Sequence, residues 1–173
     1  PSESWQNYNL VGISIVGISQ ILPGLTLARM LKEKYPHLHI TLGGPIFSVN
    51  SKQLMGHPEF FQEFCDSIVT FEGEEPLHRL LTTLKNGSTL KNVPNLLFYE
   101  NGKIEHNKER VELRFEEMPP PTFDGLPMDL YLSPYPILPV LQSRGCYWGK
   151  CTFCTHSFIY GHRYGKQRTE QMV

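Results

Sequence analysis

The run Leu10 to Ser19, LVGISIVGIS, is the tightest constraint in the chain. It is apolar, β-branched and punctuated by glycine, which suits a strand buried on both faces and followed by a loop at its carboxyl end. A helix should come next. Pro23 fits a first-turn position, and Leu25, Ala28, Leu31 and Tyr35 fall at helical spacing before Pro36 stops the run. Leu38, Ile40 and Leu42 then alternate in a short strand ending at Gly43-Gly44. A second helical stretch, Ser51 to Phe64 with a break near Gly56 and Pro58, leads to a third strand, Ser67 to Phe71, which ends at Glu72-Gly73-Glu74. Pro76 opens a further helix whose Leu77, Leu80, Leu81 and Leu84 form one stripe, closed by Gly87. Strands alternating with helices at this interval predict right-handed crossovers and an α/β fold with a parallel, doubly wound, flavodoxin-like (Rossmann-like) sheet.

The pattern changes after that helix. In NLLFYENGKIEH, Asn101-Gly102 lies between two strand-like runs and predicts a type I′ hairpin appended to the sheet. Seven of the 14 prolines lie between Pro119 and Pro139, with no helical or strand period, so this stretch reads as a linker anchored by Phe123, Tyr131 and Tyr135. Leu138 to Ser143 then reads as a new strand running into Arg144-Gly145-Cys146. The expected organisation is a first domain over residues 1–118, a linker over 119–137 and the start of another domain over 138–173. Pro1 to Asn9 run straight into a strand and Gln171 to Val173 read as the start of a helix, as in a piece of a longer protein.

Charge narrows the partners. Sixteen Lys and Arg against 17 Asp and Glu give a formal charge of −1, so no global field favours nucleic acid or an anionic membrane. No apolar run approaches the roughly 20 residues of a membrane span, and the N-terminus lacks the features of a signal peptide, so a cytoplasmic location is expected. Of the four cysteines, Cys146, Cys151 and Cys154 crowd together while Cys65 lies far away, which suggests a metal site in a reducing compartment rather than a disulfide framework.

The three clustered cysteines have four and then two residues between them, in RGCYWGKCTFCTH. Three thiolates on one short loop can hold three irons of a cubane cluster and leave the fourth open for chemistry. Gly145 and Gly149 let the backbone wrap a bulky group, and Trp148 and Phe153 could shield it from water. The alternative is a structural zinc site in which His156 or Cys65 supplies a fourth ligand.

SRGCYWGKCTFC resembles the cluster loop of the radical S-adenosylmethionine superfamily, and the longer first gap resembles a variant carried by cobalamin-binding members. That resemblance implies a 4Fe-4S cluster on Cys146, Cys151 and Cys154 that binds S-adenosylmethionine at its open iron and cleaves it with one electron to a 5′-deoxyadenosyl radical. It further implies that Phe153 neighbours the adenine, and that YGHRYGKQRTEQMV, with Arg163 and Arg168, leads from the loop into the first helix of a (β/α) barrel. An electron donor such as flavodoxin or ferredoxin is implied as a partner.

Upstream, three strand ends carry small or acidic residues: Ser14 to Gln20, Gly43-Gly44-Pro45 and Glu72-Gly73-Glu74-Glu75. Parallel sheets bind ligands at such carboxyl ends. Taken in order with the VPNLLFYENGKI hairpin, they resemble the cobalamin-binding domain that precedes many radical domains, which implies that Ser14, Gly43, Gly44, Glu72, Gly73 and Glu74 line cobalamin. The Asp-x-His-x-x-Gly motif that supplies a histidine to cobalt in some such domains does not occur in this sequence, and His57 lacks its context. The reaction implied is methylation or rearrangement of a small-molecule or peptide substrate. Two rivals remain: a cobalamin carrier or sensor with a structural zinc loop, and a nucleotide-binding Rossmann enzyme. The second is disfavoured because no Gly-x-Gly-x-x-Gly follows the first strand.

Overall fold

The computed structural model describes residues 5–107, 109–111 and 113–168. The chain divides into two compact units, residues 1–112 and 113–173. In the first unit, strand β1 (Leu10–Ser14) is followed by helix α1 (Ile21–Lys34), strand β2 (His39–Gly43) and three short helices, α2 (Pro45–Val49), α3 (Ser51–Leu54) and α4 (Pro58–Phe64). Strand β3 (Ser67–Val69), helix α5 (Glu74–Lys85) and the strands β4 (Leu96–Glu100) and β5 (Lys103–His106) complete it.

The five strands lie in the order β1-β2-β3-β4-β5. The first three are mutually parallel, with Gly12 opposite Thr41 and Leu42 opposite Ile68, whereas β4 and β5 run antiparallel to their neighbours. The sheet is therefore mixed rather than all parallel. The reversal occurs at β4, which returns from α5 against β3; the hairpin then reverses the chain again, since a two-residue turn can join only antiparallel strands. Asn101 at φ 52° and Gly102 at φ 80° both take the left-handed backbone that a type I′ turn requires, and Glu100 faces Lys103 across it.

Alternation along the strands separates two apolar layers. Ile40, Leu42, Ile68 and Leu97 face one side, where they meet Ala28 and Leu31 of α1, Phe47 of α2 and Phe61 of α4. Val69, Leu96 and Phe98 face the other and meet Leu80 of α5. Phe61 and Phe98 are almost fully buried, so truncating either to Ala would cost about 3–5 kcal/mol. Cys65 lies in the first layer as a small apolar side chain. Helix α5 has Glu74 and Glu75 in its positive first turn and ends at Gly87, φ 61°.

In the second unit, Met128–Leu130 forms the only helical turn within the proline-rich segment. Phe123 is partly buried, but Tyr131 and Tyr135 are exposed, so the aromatic anchoring expected there is confined to Phe123. The strand expected over Leu138 to Ser143 begins only at Ser143 and runs to Gly145 as β6 (Ser143–Gly145); Pro139, without an amide donor, cannot contribute to a ladder at its start. Its partner is the antiparallel strand β7 (Tyr164–Lys166), with helix α6 (His156–Tyr160) between them. This ribbon packs on buried Phe115. A barrel is not present among the described residues, and the helix expected from Gln171 to Val173 lies outside them. No helix among the described residues is long and apolar enough to cross a membrane.

Candidate functional site

Because β1, β2 and β3 are parallel and adjacent, their carboxyl ends form one edge, and all six residues expected to line a ligand lie on it. Ser14 ends β1 and is exposed. After it, Gln20 folds back so that its side-chain oxygen accepts the amides of Val16 at 2.8 Å and Gly17 at 3.0 Å, which leaves Val16, Ile18 and Leu22 facing outward. The sequence places Val16 and Ile18 in the loop after the first strand but does not show that they and Leu22 form one exposed apolar rim.

Gly43 ends β2 and Gly44 begins the next turn at φ 115°. A Cβ on Gly44 would stand 2.2 Å from the carbonyl oxygen of Ile15, so the two turns meet backbone to backbone and no other residue fits. Pro45 then starts α2, a helix absent from the sequence reading because a Gly-Gly-Pro turn masks it. Its Ser48, fully buried, accepts the amide of Phe71 through Oγ at 2.7 Å.

The third turn follows β3. Thr70 is tied to the carbonyl of Asn95 through its amide at 2.9 Å and its hydroxyl at 2.8 Å. Phe71 takes a left-handed backbone at φ 61° with the Arg110 guanidinium 4.3 Å above its ring. Glu72 is buried, Gly73 half-buried and Glu74 exposed at the start of α5. Gly43 and Gly73 have only ordinary contacts around a built Cβ, so both leave room beside the backbone for a ligand. Half-open glycines, exposed Ser14 and an apolar rim fit a large, flat, partly apolar group such as a corrinoid.

The opposite, amino-terminal end of the strands carries a cleft of about 1050 Å³ lined by Tyr8, His37, His39, Asp66 and Lys85. Ligands of parallel sheets enter at the carboxyl end, so volume alone does not make this the site. Here Asp66 accepts the Ile40 amide at 2.7 Å and pairs with Lys32, while His39 Nε2 lies 2.8 Å from Ser67 Oγ, which donates to Thr41. Burial lowers the His39 pKa; the Asp66 carboxylate opposes this and Lys32 reinforces it. Burial also pushes the Cys65 thiol up, with the Asp66 carboxylate adding to the effect, in keeping with its place as an apolar side chain of the core. His57 occupies the cap position before Pro58 and bonds exposed Glu59 at 2.7 Å.

In the second unit the cysteine loop hangs from the ribbon. The Cys146 amide donates to the Arg163 carbonyl at 3.1 Å, which extends the β6–β7 ladder by one rung. Gly145, at φ 87°, leaves no space for a side chain: a Cβ would stand 1.9 Å from that same carbonyl oxygen. Gly149, at φ 61°, donates its amide to Cys146 Sγ at 3.4 Å, and its carbonyl accepts Ser157 Oγ at 2.9 Å. Cys151 and Cys154 are exposed, as is Phe153 at 88%. Among the described residues no three His, Cys, Asp or Glu side chains are gathered as a metal-binding group. The donor set nevertheless suits an iron–sulfur cluster: three thiols on one loop, two open to solvent and one receiving the amide-to-sulfur bond typical of ligated thiolates.

No family model matches the chain. It is 30% identical to an uncharacterized methyltransferase of Pyrococcus horikoshii over 95% of its own length and 35% of that protein. It is 32% identical to the 4′-phospho-dehydrooxetanocin synthase of Priestia megaterium over 81% of its length and 19% of the relative. The chain thus spans about a third and about a fifth of these two relatives. Among solved structures, the cobalamin-dependent S-adenosylmethionine radical enzyme OxsB with aqua-cobalamin and S-adenosylmethionine bound covers 94% of the chain at TM-score 0.69 and 24% identity, the match spanning 22% of that enzyme. The radical S-adenosylmethionine methyltransferase TsrM from Kitasatospora setae covers 95% at TM-score 0.58 and 20% identity, over 34% of its own length. At these identities the structural likeness establishes the fold.

Proposed function

We propose that the chain belongs with the cobalamin-dependent radical S-adenosylmethionine enzymes, to which its fold and its two relatives are similar, and that it carries the cofactor-holding elements of such an enzyme. Cobalamin is held at the carboxyl edge of β1 to β3, against Ser14, Gly43, Gly44, Glu72, Gly73 and Glu74. Cys146, Cys151 and Cys154 ligate a 4Fe-4S cluster. The observation that carries the reading is the coexistence in one chain of this glycine-lined edge and a three-thiol loop shaped by Gly145 and Gly149.

When bound, the cluster supplies one electron to split S-adenosylmethionine into methionine and a 5′-deoxyadenosyl radical, and the corrinoid supplies a cobalt that carries alkyl groups. The chain's own residues arrange this. Glycines at the second and third turns admit a flat ring to the backbone, and Val16, Ile18 and Leu22 offer it an apolar surface. Phe153 stands beside Cys154 and offers an aromatic face to the adenine. Methylation or rearrangement of a small-molecule or peptide substrate is the reaction class, and a flavodoxin- or ferredoxin-type donor supplies the electron.

The test is anaerobic reconstitution of the full chain, with iron, sulfide and zinc assays and absorption spectra, on wild type and Cys151→Ala. About four irons and four sulfides per chain, lost in the variant, are expected. Stoichiometric zinc without iron would overturn the radical-enzyme reading in favour of a carrier with a structural metal loop.

A further inference from the structure

We infer that Ser48 is a positioning residue for the corrinoid edge: its single hydroxyl joins two of the ligand-facing turns. The inference rests on the cobalamin reading above. Ser48 is not itself one of the proposed ligand-lining residues and acts on them from behind. It lies on α2, fully buried, and its Oγ accepts the Phe71 amide at 2.7 Å while donating to the Gly44 carbonyl at 3.4 Å. Gly44 belongs to the turn after β2 and Phe71 to the turn after β3, so the hydroxyl fixes the distance between them.

Phe71 needs this support. A bulky residue at φ 61° occupies backbone space that side chains disfavour, and such conformations persist only when the surroundings impose them. On the other side of the turn, Asn95 contributes its carbonyl to Thr70 and its side-chain amide to the Glu72 carbonyl at 3.4 Å. Asn95 anchors the third turn to the segment that leads into β4, itself held by the Glu109 carbonyl, whereas Ser48 anchors it to the second turn. Residues 72–74 follow directly, so a change of backbone at Phe71 would swing Glu72 and Gly73 away from Gly43 and Gly44.

The test is a titration of the full chain with hydroxocobalamin, read by absorbance, alongside thermal melting. Ser48→Ala should weaken binding about tenfold, the worth of one buried hydrogen bond. Adding Phe71→Asn, which accepts left-handed backbone readily, should return the affinity to within about threefold of wild type. A loss that Phe71→Asn does not repair, or no loss in Ser48→Ala, overturns the positioning role. Should Ser48→Ala not fold, Ser48→Cys, with a weaker acceptor of similar shape, should show a smaller loss repaired in the same way; unchanged binding there overturns the role equally. Failure of wild type itself to bind hydroxocobalamin overturns the cobalamin reading, a result distinct from wild-type binding with an indifferent Ser48.

Discussion

At the carboxyl edge of β1 to β3 the supporting atoms are buried and bonded to one another: Ser48 to Phe71, Thr70 to Asn95, Gly44 against Ile15. In the cysteine loop the supports are a short ribbon and two glycines, while Cys151 and Cys154 stand in solvent. The first region holds its shape through the sheet on which it is built, and a ligand there meets a finished surface. The second fixes the backbone entry and exit of the loop but leaves the thiols apart, so the cluster proposed for it would have to complete the arrangement, as in small metal-organised sites.

Three substitutions test that contrast. The largest effect is expected for Gly44→Ala, where the added Cβ meets the carbonyl oxygen of Ile15 rather than a movable side chain. Urea unfolding of the first unit should show a loss of about 3 kcal/mol or more; a loss below about 0.5 kcal/mol would mean that the edge is not rigidly built.

Gly145→Ala places a Cβ equally close to backbone, at Arg163. Its expected consequence is local: iron incorporation on reconstitution falls severely while the urea midpoint of the first unit stays at the wild-type value. Normal cluster assembly would show that the ribbon does not set the loop.

The smallest effect concerns the far end of the sheet. Burial keeps the His39 imidazole neutral to lower pH in the folded chain than in the unfolded one, despite the Asp66 carboxylate. Below about pH 6.5 the unfolded chain binds a proton that the folded chain resists, so stability present above that pH is lost as the pH falls, by at most about 1.4 kcal/mol per pH unit. Urea midpoints measured across that range should slope for wild type and flatten for His39→Gln. An equal slope in both would assign the pH dependence to other groups.

How much of this was legible beforehand depends on the range of the interaction concerned. Asn101-Gly102 announced its turn because both residues tolerate positive φ, and α5 announced itself through a leucine stripe ended by Gly87. The glycine turns and the three cysteines were readable as residue types. Helix α2 was hidden: five residues behind Gly-Gly-Pro are too few to show a period. Ser48, Gln20 and Asn95 were missed because their roles consist of hydrogen bonds to Phe71, Val16, Gly17 and Thr70, and a serine, glutamine or asparagine in isolation carries no sign of its partner. The left-handed Phe71 was equally invisible, since nothing in its identity favours that conformation. The short β6 was overestimated because the apolar residues Leu138, Val140 and Leu141 resemble a strand, although Pro139 cannot contribute to a ladder there.

The fold-back of Gln20 has a consequence for selectivity. In dinucleotide-binding members of this architecture, free amides after the first strand receive a pyrophosphate at the start of the following helix. Here the amides of Val16 and Gly17 are already occupied by the protein's own carboxamide oxygen. A diphosphate arriving at that corner would have to displace the Gln20 oxygen before gaining those two amides, beside the exposed hydrocarbon of Val16, Ile18 and Leu22. At this corner two amides that a dinucleotide fold would turn toward phosphate are thus kept within the protein.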